Sequence, residues 1–243
     1  MKVTDRFFKH MSDHLNKVAE TQGENIEKAA KLAAESCLKG GKLFIIGTGH
    51  SHIMAEELYV RAGGLALVNP ILEPDLMVHE APGKSTELER LYGYGKALLK
   101  LHKFSAVDTI MVVSNSGRNA LPVEVCVEAK KLGANVIALT SMAHSRSISS
   151  RHENNLKIYE IADVTIDNCG EIGDASFYID GFENPVGPTS DFCGIAIAQA
   201  IVANIVDIMV KEGVKPPVFR SSNLDGCDEY NRTLFDKYYP VNR

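Results

Sequence analysis

The sequence predicts an α/β fold: a parallel sheet with helices on both faces. Three observations carry this. Short, wholly apolar runs alternate with helical stretches through the middle of the chain. Those runs show no polar face, the pattern of strands buried on both sides. Glycines and small polar residues punctuate nearly every transition.

The elements follow in order. Phe7, Phe8, Met11, Leu15 and Val18 recur at helical spacing. A second helix is expected from about Glu24 to Leu38, stopped by Gly40-Gly41. Leu43–Ile46 reads as strand one and Ile53–Ala62 as the helix behind it. Gly63-Gly64 closes that helix, and Leu65–Val68 reads as strand two. Glu87–Leu101 reads as a helix, Thr109–Val113 as strand three, and Pro122–Leu132 as a helix ended by Gly133. Val136–Thr140 is strand four and Asp163–Ile166 strand five. Ser190 is a suitable N-cap for the long helix that follows. Right-handed crossovers make such a sheet doubly wound, and ligands then bind beyond the carboxyl ends of the strands.

Composition narrows the function classes. The chain has 243 residues, 45% of them apolar, and a net charge of −5. Its basic residues are scattered, which argues against nucleic acid or an anionic membrane as partner. Met1 to His10 lacks the apolar core of a signal peptide. Phe192–Val210 is the most apolar run, but Gln199, Asn204 and Asp207 interrupt it. A helix in the core or at a subunit interface is expected there rather than a membrane span. Five widely spaced cysteines, Cys37, Cys126, Cys169, Cys193 and Cys227, suit free thiols in the cytoplasm.

The chemistry concentrates in two loops of one design. Gly47-Thr48-Gly49-His50-Ser51 and Ser114-Asn115-Ser116-Gly117-Arg118-Asn119 each follow a strand and precede a helix. Small residues let backbone N–H groups approach an anion, and a helix N-terminus adds partial positive charge. Ser51 on its own would serve as a helix cap, but Ser114, Ser116 and Asn119 exceed what one turn needs. The pair therefore points to a phosphorylated ligand. A dinucleotide fits poorly, because His52 stands where the third glycine of the fingerprint belongs. The end of strand two, Val68-Asn69-Pro70, also lacks an acid to hold a ribose. No Gly-Lys-Ser/Thr follows either loop, which excludes a P-loop.

These two loops resemble the signature loops of sugar isomerase (SIS) domains. That family includes phosphoheptose isomerase, the isomerase domain of glucosamine-6-phosphate synthase and N-acetylmuramic acid 6-phosphate etherase. The resemblance spans roughly Glu24 to Gly213. As a whole the chain is most similar to bacterial SIS-domain proteins labelled phosphoheptose isomerases. The resemblance implies a flavodoxin-like, three-layer αβα sandwich on a five-stranded parallel sheet, and a homodimer or homotetramer. The expected division is a helical segment at 1–40 packing on the domain, the SIS domain at 41–213, and a tail at 214–243. A sugar phosphate would be held by Gly49, His50, Ser51, Ser114, Asn115, Ser116, Gly117 and Asn119, with no cofactor. Ser51, Ser114, Ser116 and Asn119 match the family's gripping positions.

Isomerase members of the family use a glutamate and often a histidine to move a proton between C1 and C2. Ala55-Glu56-Glu57-Leu58 is similar to a family segment, about one helical turn nearer its loop. The family's last-helix histidine has no counterpart between Phe192 and Lys211. Glu57 and His79 are the expected catalytic residues. Glu57 also suits a surface pair with Arg61, and His79-Glu80 an ordinary solvent-facing loop. Arg118 suits pairing with a sugar carboxylate or phosphate. Glu171 and Asp174 follow strand five and are weaker candidates. His50 and His52 have metal-like spacing but lack a third ligand, so no metal is expected. The alternatives to an isomerase are a non-catalytic sugar-phosphate regulator and a lyase-type etherase acting on an amino-sugar phosphate. A structural-only reading, with both loops as plain turns, also stands.

Overall fold

The fold is a three-layer αβα sandwich, seen in a computed structural model that describes residues 2–81 and 83–239. Its central sheet is five-stranded, wholly parallel, and ordered β2-β1-β3-β4-β5. The strands are β1 (Leu43–Gly47), β2 (Val68–Pro70), β3 (Thr109–Val113), β4 (Asn135–Thr140) and β5 (Val164–Asp167). Alternate residues supply the two faces, as the strand period requires. Leu43, Ile45, Met111, Val113, Ile137 and Leu139 pack on one face. Phe44, Ile46, Ile110, Val112, Val136 and Ala138 pack on the other.

The first face is covered by α1 (Val3–Leu38) and, near the end of the chain, by α8 (Ser190–Lys211). One continuous α1 replaces the two expected helices. Gly23 does not break it, because a lone glycine costs a helix only about 1 kcal/mol. The buried stripe from Met11 through Val18, Gln22 and Ile26 to Ala33 runs straight past it. The helix α8 is long and apolar enough to cross a membrane by length and composition alone. Here Cys193, Ile197, Ile201, Ile205 and Met209 are buried in the core.

Between β1 and β3 the chain departs most from expectation. A 3-10 turn, Gly49–His52, leads into α2 (Ile53–Leu58), which stops four residues short of Ala62. Tyr59 is extended and Val60 takes a positive φ. Leu65, expected to begin strand two, bridges Val218 antiparallel instead, and β2 starts at Val68. The carboxyl-terminal strap explains the shift. Gly63 N–H donates to Phe219 C=O at 2.9 Å, Phe219 N–H to Gly64 C=O at 2.9 Å, and Ala66 N–H to Pro217 C=O at 2.8 Å.

The expected helix at Glu87–Leu101 is two helices, α3 (Lys84–Leu88) and α4 (Tyr94–Leu101). Gly93, with φ 85°, begins the second one. Between the two helices Glu89 is half-buried, while Leu91 and Tyr92 are exposed. On this second face α4 packs against α5 (Ala120–Leu132), which ends at Gly133 in the left-handed region. Two short helices, α6 (Met142–Ser147) and α7 (Ile158–Ile161), connect β4 to β5. After β5 comes an unexpected antiparallel hairpin of β6 (Ala175–Phe177) and β7 (Val186–Pro188).

The N-cap of α8 is Thr189 rather than Ser190. Asp174 does the capping work: its carboxylate accepts from Thr189 N–H (3.1 Å), Ser190 N–H (2.9 Å) and Ser190 Oγ (2.7 Å). The tail includes α9 (Cys227–Tyr238), whose Leu234 packs with Ala66 and Phe219 at the β2 edge of the sheet. Among the described residues, the tail therefore straps the outer strand and does not reach over the two loops. The five cysteines are free and buried.

Candidate functional site

The strand order places the site. It reverses direction between β1 and β3, the switch point where the carboxyl ends of adjacent strands open a crevice. Both polar loops sit there, one following β1 and one following β3.

Backbone geometry makes each loop a set of outward donors. Gly49 and Gly117 have φ of 59° and 61°, a region that β-substituted residues avoid. A Cβ on Gly47 would lie 2.1 Å from the carbonyl oxygen of Ser51, so the first loop closes on itself only around glycine. Among the described residues, the N–H groups of Gly49 and His50 have no protein acceptor, nor have those of Ser116, Arg118 and Asn119. Five unclaimed N–H groups on the two loops are donors that could serve an oxyanion. The first turn of α5 adds little to it. Leu121 N–H already donates to Glu89 C=O at 2.9 Å, and Pro122 carries no N–H.

The expected phosphate-binding side chains divide into two groups. Ser51 and Ser116 are half-buried in their loops and hold no hydrogen bond from their hydroxyls among the described residues. Ser114 is buried and its Oγ accepts from Gly117 N–H at 3.1 Å, which leaves its own proton to give. Asn115 and Asn119 are committed to the protein. Asn168 Nδ2 donates to Asn115 Oδ1 at 2.9 Å, which ties the second loop to the end of β5. Asn119 Nδ2 donates to Glu89 Oε1 at 2.5 Å, and Arg151 Nη1 donates to Asn119 Oδ1 at 3.0 Å. These two amides shape the second loop rather than reach for a ligand.

Glu89 is the residue that the sequence pattern hid inside a supposed helix. Its carboxylate also accepts from Thr48 Oγ1, so one carboxyl group joins both loops. Burial pushes its pKa up, while Thr48, Arg90, Arg151 and Asn119 pull against that shift. The signal for it was Gly93, a glycine inside an otherwise periodic run. Ser85, on α3, is also new to the site: its Oγ would lie 3.8 Å from a Cβ on Gly49. Ser145 on α6 has a buried hydroxyl without a partner, facing Gly117 across 3.3 Å from the same construction.

The amino end of α8 packs against the 3-10 turn of the first loop. It brings Asp191 toward His50, which is itself exposed. Burial pushes the Asp191 carboxyl up to about 6, His50 opposes this, and Asp174 reinforces it. One Asp191 oxygen is buried with no partner. On the other flank, His144 accepts from Gly173 N–H at 3.2 Å, and burial holds its pKa down. A carboxyl group raised to about 6 beside the first loop can exchange protons near physiological pH.

The two expected catalytic residues lie in other company. Glu57 Oε1 accepts from Arg61 and from Gln199 Nε2 at 2.9 Å, which joins α2 to α8. His79 is exposed in the connection after β2, where Glu80 pairs with Lys84. A surface cavity of about 340 Å³ lies between α4 and α5, lined by Lys96, Leu99, Phe104 and Glu128 among others. Phe104 precedes β3, so that cavity belongs to the amino edge of the sheet, opposite the loops.

Comparisons with known proteins agree with this geometry. The family model of the SIS domain matches residues 6–141. A UPF0309 protein of Halalkalibacterium halodurans is 50% identical over 224 residues, covering 92% of this chain and 93% of that protein. The phosphoheptose isomerase of Neisseria gonorrhoeae superposes with a TM-score of 0.56 at 17% identity, over 85% of this chain and all of that one. The sugar isomerase domain of an RpiR transcription factor from Sphaerobacter thermophilus gives 0.52 at 16% identity, over 98% of each chain. An enzyme and a regulator thus share this fold, so the fold alone does not choose between the two roles.

Proposed function

This chain belongs to the SIS-domain family, and from that premise we propose that it is a sugar-phosphate isomerase. The phosphate of the sugar sits against the free N–H groups and the serine hydroxyls of the two loops. A carboxylate then moves a proton between adjacent carbons, converting aldose and ketose. The observation that carries the reading is Glu89, a half-buried carboxyl group hydrogen-bonded to both loops with its pKa raised by desolvation. A base in that position is close to whatever the loops hold, and it is poised nearer neutrality than an ordinary glutamate. Glu57, by resemblance, and His79, by its place in a polar loop, remain the alternatives, and Asp191 with His50 supplies a second group for the return proton.

The test is proton exchange at the sugar. Purified protein is incubated in deuterated water with hexose, heptose, pentose and amino-sugar phosphates, and C2 deuteration is followed by NMR. The reading expects deuteration and isomer formation with at least one of them, lost in Glu89→Gln and kept in Glu57→Gln. Loss in Glu57→Gln alone would move the base to α2. Tight binding of a sugar phosphate without any exchange would leave the regulator reading standing. That reading is favoured by the absence of a histidine on α8. Release of a lactyl group from an amino-sugar phosphate would indicate the etherase instead.

The reading includes residence in the cytoplasm and self-association as a homodimer or homotetramer. Phe192 and Val210 on α8 are exposed apolar residues of the kind a second copy would cover. Light scattering on the purified chain measures the assembly directly.

A further inference from the structure

Two arginines at the second loop, Arg118 within it and Arg151 hydrogen-bonded to it, form no ion pair among the described residues, although Glu89 lies close enough to Arg151 to feel its charge. The residues Arg118 and Arg151 are joined through their backbones, Arg151 N–H donating to Arg118 C=O at 2.9 Å. Arg151 Nη1 donates to Asn119, a neutral amide, and Tyr92 OH donates to the Arg151 carbonyl at 2.7 Å. Among the described residues, neither guanidinium forms an ion pair, which is also true of Arg146, Arg220 and Arg232, whereas Arg6, Arg61 and Arg90 each have an acidic partner. The Nε of Arg118 is shut off from solvent and has no hydrogen-bond partner. Burial first, and then Arg151 and Arg90, disfavour the charge on Arg118. The carboxylate nearest in the network, that of Glu89, is already held by Thr48 and Asn119 and makes no ion pair with either arginine.

Arg151 is exposed and Arg118 half-buried, so the cost falls on the shielded Nε of Arg118. Buried donors are normally satisfied, and like charges side by side destabilise one another until an anion joins them. A phosphate seated in the two loops is met by N–H and hydroxyl donors without either guanidinium. The pair is then left for another anion at the same cleft. The flat guanidinium fork suits a carboxylate or a phosphate held by two parallel hydrogen bonds.

We propose that the ligand is a sugar phosphate bearing a second acidic group, a carboxylate or a second phosphate, which Arg118 and Arg151 bind while the loops bind the first phosphate. This inference rests on the phosphosugar reading above and narrows its substrate class. Uncharged hexoses carrying one phosphate would occupy the same site with part of its donors unused.

Three probes that share a phosphate at C6 test it by isothermal titration: glucose 6-phosphate, 6-phosphogluconate and glucose 1,6-bisphosphate. The first has one acidic group, the second adds a carboxylate at C1, and the third adds a phosphate there. The inference expects one of the two doubly acidic probes to bind at least about tenfold tighter than glucose 6-phosphate, the size of one charge-assisted contact. Which of them wins identifies the second group. The double substitution Arg118→Met with Arg151→Met should bring that ratio close to one: the bonds made by their backbones remain, and loss of the Arg151–Asn119 hydrogen bond weighs on all three probes alike. Equal affinity of the wild-type chain for all three overturns the inference while leaving the phosphosugar reading intact. So does an equal loss for all three in the double variant, because the arginines then serve the first phosphate. Failure of every probe to bind would remove the phosphosugar reading and the inference with it.

Discussion

Asn119 donates its side-chain amide to Glu89 across 2.5 Å, and this contact ties the start of α5 to the break between α3 and α4. Leu121 N–H strengthens the tie by donating to the Glu89 carbonyl at 2.9 Å. Thr48 completes it from the first loop. The carboxyl group is thus oriented from both sides of the switch-point crevice, as a proton-transfer group must be if its geometry is to survive substrate entry.

Glu89→Gln is expected to lower turnover by about 10²–10⁴, the usual contribution of a positioned acid or base. Affinity for the phosphosugar should change far less. Because burial raises the Glu89 pKa, the rate should increase with pH through a midpoint above that of an ordinary glutamate. Thr48→Val removes a hydrogen bond that favours the ionised form, so it should move this midpoint further up. A pH–rate profile of the two variants and the parent chain measures both effects.

Gly47→Ala should destabilise the fold by about 1–3 kcal/mol, the usual cost of overpacking. The added Cβ would meet the Ser51 carbonyl oxygen at 2.1 Å and its carbon at 2.4 Å, and backbone atoms cannot rotate away. Denaturant unfolding gives the loss of stability. Phosphosugar affinity should fall as well, because Ser51 moves with its carbonyl.

Much of this arrangement is legible in the sequence, and the reasons for success and failure are physical. The strands β1, β3 and β4 are buried on both faces, so their apolar runs mark their ends to within a residue. Their loops need Gly49 and Gly117 at positive φ, which leaves a visible signature. Tertiary contacts decided the rest. The start of β2 depends on a strap from Val218 and Phe219, some 150 residues later in the chain by position. Glu89 caps the end of α3 at Leu88, and the helical pattern resumes only at α4, whose N-cap is Gly93. In the second loop, Asn115 and Asn119 have the residue type of ligand contacts but turn to Asn168, Glu89 and Arg151. Residue type alone does not distinguish a side chain that grips a ligand from one that holds the gripping loop.

Asp191 makes a prediction about stability and pH. Its carboxyl stands at about 6 in the fold against 3.8 in its ordinary state. Across that window the unfolded chain has released the proton and the folded chain retains it, so stability falls as pH rises and levels off above about 6. Asp191→Asn should flatten this slope while leaving the acid side little changed. Thermal unfolding of both chains between pH 4 and pH 7 compares them directly.

Asn231 fixes the tail. Its side chain accepts from Arg220 N–H at 2.9 Å and donates to Arg220 C=O at 2.9 Å, and the residue is buried. Asn231→Ala strands both backbone groups and should cost about 1–3 kcal/mol. The loss is expected to appear first as faster hydrogen exchange at Gly63, Ala66 and Phe219, whose N–H groups hold the strap to the sheet edge. Phosphosugar affinity should not change, since the strap lies at β2.

The account turns on the two loops binding one phosphosugar, and calorimetric titration of the chain and its Ser116→Ala variant with a panel of sugar phosphates tests that most directly. Saturable binding of at least one sugar phosphate, weakened about tenfold in the variant by loss of a charge-assisted hydrogen bond, is the result the account predicts. Heat of binding that is absent for every sugar phosphate, or equal in both chains, would contradict it.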